Sequence, residues 1–335
     1  MTDVRPVDLN RPTPHAVPDG VDGRPANRWS GRFWLTTALV VALLAAMIVH
    51  LAGTAELASV RRLSIGLLGV ACLLQLLSQL FLNASMLLPL RSSLRDLGFW
   101  ELYLVRTGGF LVGSLVPVAG GVAVRLAYLR QRGVTYLDFT WATLVSNVLG
   151  LAAGGLVAAA AMAVFWAIHR RPPAAILGVA AALLVLSAAA IAVFESIPRA
   201  TSYSGLRRWA WLAGMAGLRA NPAMAAGVFF YSVGRHCLNF LTFGLLTQSL
   251  SHTPGDFLSG GLLYALTSPV RMVNITPANL GVTEWVVALV GEALAFDLTI
   301  GLIAALAFRG ISLVAVAMGM VLASASVALA RGRST

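Results

Sequence analysis

Glu284 is the residue whose chemistry demands a setting. It stands next to last in the run Thr276-Pro277-Ala278-Asn279-Leu280-Gly281-Val282-Thr283-Glu284-Trp285, inside otherwise apolar sequence. A carboxylate in hydrocarbon is expensive without a partner or water. Pro277 cannot donate an intrahelical hydrogen bond, so a regular membrane helix breaks here. Such a segment belongs where backbone lines a cavity rather than facing lipid. Thr276 can cap a new helix, and Pro277 suits its first position. Gly281 permits close approach of a head group or another backbone. The helix start then offers unpaired N–H groups and a partial positive charge, which suit an anion. Glu284 could bind a cationic group, pair with an arginine or carry a proton. Its candidate partners are Arg235, Arg271 and Arg309. An arginine at mid-bilayer costs about 2.5–3.5 kcal/mol on insertion scales, so each needs a partner or a route to water. Arg271 could instead reach the interface.

A second run, Val116-Pro117-Val118-Ala119-Gly120-Gly121-Val122-Ala123-Val124-Arg125, repeats the pattern. Pro117 aligns with Pro277, and Gly121-Val122 with Gly281-Val282. Gly120-Gly121 would open a helix with Arg125 about one turn in, so a phosphate would suit this start too. Broken helices at matching places in two halves point to a transporter-type site. The plainer alternative is a close-packed kink, since Gly and Pro are frequent in membrane helices. For Glu284 that alternative is a structural Glu–Arg network. His236 reads as an interior histidine with its hydrogen bonds met. Gln75, Gln79 and Asn83 read as helix–helix hydrogen bonders. No Ser/His/Asp arrangement or zinc-type Cys/His spacing stands out, and Cys72 and Cys237 fall inside apolar spans. The expectation is no cofactor, no metal and no enzyme.

The elements that must position these residues are membrane helices. Hydrophobic residues make up 58% of the chain, charged residues 11%, and the mean hydropathy is +0.82. A soluble domain carries roughly 25% charged residues. The net charge of +11 comes from arginine alone, since the chain has no lysine. A nucleic-acid binder is a poor reading, because the arginines sit in short loops between apolar spans.

Residues 1–32 read as a disordered, basic cytoplasmic tail, and 33–330 as the transmembrane domain. The first apolar run lies too far from the start, and is too long, for a cleaved signal peptide. Full spans are expected at 33–52, 63–90, 137–168, 174–194, 222–250 and 299–329. Residues 101–118, holding Arg106, form a first hairpin entering from inside, followed by a basic helix over 122–131 that Gly133 ends. Residues 257–275 and 277–296 form a second hairpin, entering from outside. Most arginines then lie inside, with both termini cytoplasmic. The fold class expected is an all-α polytopic membrane protein with about six full spans and two re-entrant broken-helix hairpins in an inverted repeat.

Three pieces of the chain resemble one family. They are Arg106-Thr107-Gly108-Gly109 through 117–121 to Arg125 and Arg132-Gly133-Val134; Pro277-Ala278-Asn279-Leu280-Gly281-Val282-Thr283-Glu284; and Ala304-Ala305-Leu306-Ala307-Phe308-Arg309. Together they look like the flippase-like, or lysylphosphatidylglycerol synthase, transmembrane region. Ala278 and Asn279 replace two glycines of the family signature, Thr283 a common arginine, and Val122 a frequent acidic residue. The resemblance implies a cell (inner) membrane protein that moves lipids between leaflets. The full synthases add an aminoacyltransferase domain, whose activity is not expected here. The substrate site expected comprises Arg106, Pro117, Gly120, Gly121, Arg125, Pro277, Asn279, Gly281, Glu284, Arg235 and Arg309. Expected partners are membrane lipids and a membrane enzyme, with no nucleic acid. The alternatives are a small-solute or ion transporter using the same site, and a non-transporting accessory of an envelope enzyme.

Overall fold

The computed structural model describes residues 42–43, 45–51, 63–115, 120–169, 173–200, 222–251, 256–272 and 279–332. The tail 1–32, Pro117, Pro277 and most of the first expected span lie outside the described residues, as does the side chain of Arg271. Helix α1 (Ile65–Leu90) leads to α2 (Phe99–Leu115) and α3 (Gly120–Gln131). Then follow α4 (Tyr136–His169), α5 (Ala174–Ala200), α6 (Pro222–Ser251) and α7 (Asp256–Thr267). A 3₁₀ turn (Ser268–Met272), α8 (Val282–Ala293) and α9 (Leu298–Gly332) complete the order, with no strand among the described residues.

Helices α1, α4 and α9 are long and apolar enough to cross a membrane over Ile65–Leu90, Tyr136–Ile168 and Leu298–Ala330. These match three of the expected spans. Helix α5 contributes a shorter apolar stretch, Ala174–Ala189. Helix α6 has 30 residues, about 45 Å at 1.5 Å each, but polar residues dilute its apolar character. Ser232, His236, Asn239 and Thr242 are buried on it at spacings of three and four, so one face turns polar groups inward rather than toward lipid.

Local signals set the helix ends. Ser64 caps α1, its Oγ accepting from Leu67 N–H at 3.2 Å. At the start of α4, Asp138 N–H donates to Thr135 Oγ1 at 3.1 Å and Thr135 N–H to Asp138 Oδ2 at 3.3 Å, a reciprocal capping box. Gly133 ends α3 at φ +90°. Its N–H reaches Arg130 O, and Val134 N–H reaches Leu129 O, both at 3.0 Å, the Schellman closure. Helix α3 begins at Gly120, two residues earlier than the expected 122.

The helices expected to form the two hairpins pack in pairs, α2 against α3 and α7 against α8. Helix α3 folds back along α2 where Gly109 meets Gly121: a Cβ on Gly109 would sit 2.7 Å from Gly121 O. Helices α7 and α8 frame the second break and pack on α6 and α9 respectively. The largest apolar cluster joins α4, α6, α7 and α9 through Met162, Phe243, Tyr264 and Phe308. Met47, in the helical residues 45–51, packs against Ala288 and Leu302.

Candidate functional site

The second break is built around Glu284, which is 1% exposed. Asn279 precedes the turn at φ 53° and Gly281 at φ 81°. Asparagine and glycine tolerate this left-handed region better than other residues. A Cβ on Gly281 would also lie 2.6 Å from Leu43 Cβ. The backbone therefore turns sharply enough for Glu284, in the first turn of α8, to reach back. Gly281 N–H donates to Glu284 Oε2 at 2.8 Å. Arg309 Nε donates to Glu284 Oε1 at 2.7 Å, and Arg309 Nη2 to Asn279 O at 3.3 Å. Asn279 Nδ2 donates to Val270 O at 3.3 Å, tying the break to the 3₁₀ turn. Trp285 Nε1 donates to Leu43 O at 3.3 Å. The adjacent Thr283 Oγ1 is buried with no hydrogen-bond partner.

This geometry assigns the partner that the sequence left open. Arg309 holds Glu284; Arg235 does not. It also shows that the start of α8 carries its own anion. The Glu284 carboxylate takes a donor that the sequence offered to a phosphate, and it is stabilised by the helix dipole as well as by Arg309. Both partners have a stake in the pair, since removing one would leave the other buried and uncompensated.

Arg106 is 7% exposed on α2. Its Nη2 donates to Gln79 O at 3.3 Å and to Gln79 Oε1 at 3.1 Å, and its guanidinium lies over the Tyr103 ring, 5.3 Å from the centroid. Arg125 Nε donates to Gly121 O at 3.2 Å. Arg235 is half-buried on α6. Thus Arg106, Gly121 and Arg125 belong to the first hairpin, while Asn279, Gly281, Glu284 and Arg309 belong to the second. Gly120 opens α3.

A polar chain that sequence reasoning named only in part joins α1, α6, α7 and α9 nearby. Gln75 Nε2 and Ser78 Oγ both donate to Asn239 Oδ1, at 2.7 and 2.9 Å. Asn239 Nδ2 donates to Tyr264 OH at 2.7 Å. Ser312 Oγ donates to Gln75 Oε1 at 3.2 Å. Gln75 and Gln79 are one turn apart, as are Arg235 and Asn239, and Arg309 and Ser312. That spacing is the signal that could have revealed the chain. His236 is interior, as expected, and its Nε2 lies 3.1 Å from Gly150 O.

At the base of the first hairpin, Arg132 pairs with Glu101 at 2.7 Å. The Tyr128 hydroxyl also donates to Glu101. A cavity of about 380 Å³ opens beside this pair, against Trp100 and the end of α9.

Neither the curated proteins nor the solved structures compared with the chain give a match. Residues 33–319 match the family described as Lysylphosphatidylglycerol synthase TM region. That match spans α1 to α8 and most of α9, with both hairpins inside it; the chain belongs to the lysylphosphatidylglycerol synthase transmembrane region family.

Proposed function

We propose that the protein moves lipid head groups across the cell (inner) membrane, with Glu284 and Arg309 as the gate of the path. The buried Glu284–Arg309 pair at a broken helix is the observation that carries this reading. A head group bearing both a cation and a phosphate presents the same two charges as the pair. Its cation could replace Arg309 on Glu284, and its phosphate could take the released guanidinium, which binds oxyanions through paired donors. Exchange of this kind opens the pair without leaving either charge bare in a medium of low dielectric.

The hairpins would act as re-entrant elements in an inverted repeat, α1 to α4 answering α6 to α9, and alternate exposure of the two would change the leaflet reached. Both termini are placed in the cytoplasm, because that orientation puts most loop arginines inside. No catalytic role is assigned to any residue.

The test is lipid movement in proteoliposomes carrying fluorescent phospholipids of different head groups. Wild type should move at least one, and Glu284→Gln should abolish movement at equal protein content. Glutamine keeps an acceptor for Gly281 N–H or Arg309 but removes the charge that a cationic group must find. Unchanged movement in Glu284→Gln would remove Glu284 from the path.

A further inference from the structure

Arg106 and Arg125 of the first hairpin and Arg235 of α6 approach one another, and among the described residues no carboxylate pairs with any of them. Arg106 bonds to Gln79, in the interior of the span α1. The stem of Arg125 lies against Gly109, one turn beyond Arg106: a Cβ at Gly109 would meet Arg125 Cγ at 2.9 Å. Arg235 approaches from α6, where the neighbouring Gly234 packs on Phe81 of α1, two residues from Gln79. The charges of both Arg125 and Arg235 bear on Arg106. The two ion pairs among the described residues, Arg132–Glu101 and Arg309–Glu284, use none of these three.

Like charges gathered at membrane depth repel one another and are costly to desolvate. Arg106 is more than nine-tenths buried. Gln79 supplies only neutral acceptors, and they satisfy one end of the guanidinium. Its Nε is buried with no hydrogen-bond partner. The Tyr103 hydroxyl, on the ring beneath the guanidinium, is likewise buried without one. A purely structural arginine would have its donors met. An orphan donor inside a cluster of positive charge lacks an anion.

We infer that Arg106, Arg125 and Arg235 form an anion-binding site, whose ligand is a phosphate monoester or diester. Guanidinium groups match phosphate oxygens with paired, parallel hydrogen bonds. The ligand class deepens, and rests on, the reading of the chain as a head-group translocator. In that reading the two hairpins act in turn: the first takes up the phosphate, which passes to the Arg309 guanidinium when the head-group cation replaces it on Glu284.

The experiment is equilibrium binding to the full-length protein in detergent, read as thermal stabilisation. The probes are dioctanoyl phosphatidylglycerol, dioctanoylglycerol, which has the same chains but no phosphate, and inorganic phosphate. Wild type should be stabilised by the phospholipid and not by the diacylglycerol. Arg106→Gln and Arg235→Gln should each weaken the phospholipid effect at least tenfold in concentration, Arg106→Lys should weaken it less, and the exposed Arg91→Gln should leave it unchanged. If Arg106→Gln does not fold, Arg235→Gln and Arg125→Gln read the same site. Stabilisation by inorganic phosphate at comparable concentration, lost in the same variants, would support the site and assign it to a soluble anion. Equal stabilisation by the diacylglycerol, or full phospholipid binding by Arg106→Gln and Arg235→Gln, would overturn it. Binding does not require movement. A protein that binds phospholipid at these arginines but moves none in vesicles defeats the translocator reading alone. One that moves lipid with all three replaced defeats this inference alone.

Discussion

The two hairpins share a plan and differ in where they put their negative charge. The second places its carboxylate at the break itself. Glu284 is buried between a backbone N–H and Arg309, and the pair's side chains are 2% and 25% exposed. The first places its carboxylate at the mouth, where Glu101 meets an Arg132 that is 46% exposed. Among the described residues, the arginines in its depth have no paired carboxylate. A closed pair and an open cation cluster are different devices. The pair is satisfied without a ligand and must be opened. The cluster is unsatisfied without a ligand and waits to be filled. Related helix breaks therefore need not do the same work, because one side chain three residues into the helix decides which charge is left over.

The largest expected difference is in stability. Glu284→Ala leaves Arg309 without its carboxylate and exposes the Gly281 N–H to an apolar interior. Breaking a buried pair by removing one partner costs about 3–5 kcal/mol, and the partial exposure of Arg309 puts the expectation near the lower end. Arg106→Gln removes a charge that no carboxylate offsets, so without an anion it should be neutral or stabilising. Thermal unfolding of both variants in the same detergent checks the contrast. Equal destabilisation would erase the distinction between the hairpins.

The hairpin closures give the next effect. Gly121 and Gly109 touch through backbone, and a Cβ on Gly121 would meet Gly109 O. Neither backbone has a flexible end to move aside. Gly121→Ala should cost about 1–3 kcal/mol, the usual range for overpacking. It should also spread α2 from α3 and displace Arg125 from Arg106. Thermal unfolding measures the first consequence, and phospholipid stabilisation the second. Loss of stability with phospholipid binding intact would separate the anion site from the hairpin closure.

How much of this could be read in advance varies with the kind of signal. The helices α1, α4 and α9 are legible because some twenty apolar residues in a row admit little else. Helix ends are legible where a glycine sets them, and Gly133 ended its helix as expected, while Pro117 and Pro277 lie outside the described residues. The pairing of charges was not. Glu284 had three arginines within its half, and nothing in their spacing chose Arg309. The choice depends on Asn279 and Gly281 turning the chain in the left-handed region, which returns the carboxylate onto its own helix start. The arginine cluster was equally hidden, since Arg106, Arg125 and Arg235 lie on three helices and meet only once α1 packs against α6.

The polar chain around Asn239 predicts a smaller change. Asn239, on α6, bonds to Gln75 and Ser78 of α1 and to Tyr264 of α7. Side-chain hydrogen bonds between membrane helices average about 0.6 kcal/mol each. Asn239→Leu should therefore lower stability by about 1–2 kcal/mol as measured by unfolding, because it leaves Gln75 and Tyr264 with fewer partners. If it also uncouples phospholipid binding from Glu284→Gln, the chain links the two devices. If the two effects stay additive, the hairpins act independently.

The mouth of the first hairpin gives the smallest and most condition-dependent effect. Burial pushes the Glu101 carboxyl up, but hydrogen bonds from Tyr128, Arg132 and Gly98 N–H outweigh it and hold the carboxyl below its ordinary value. A carboxylate held down in the folded protein adds stability that is complete above its unfolded value of about 4.3. That contribution is lost as pH falls through the lower folded value. The margin of wild type over Glu101→Gln should therefore be constant near neutral pH and shrink on acidification below about pH 4.3. Added salt should reduce it at any pH, because Arg132 is open to solvent. Unfolding temperatures of both proteins across this range, at low and high salt, check the expectation. A margin that grows on acidification would mean that burial, rather than Arg132 and Tyr128, governs the carboxyl. The mouth would then resemble the interior of the second hairpin more than its surface position implies.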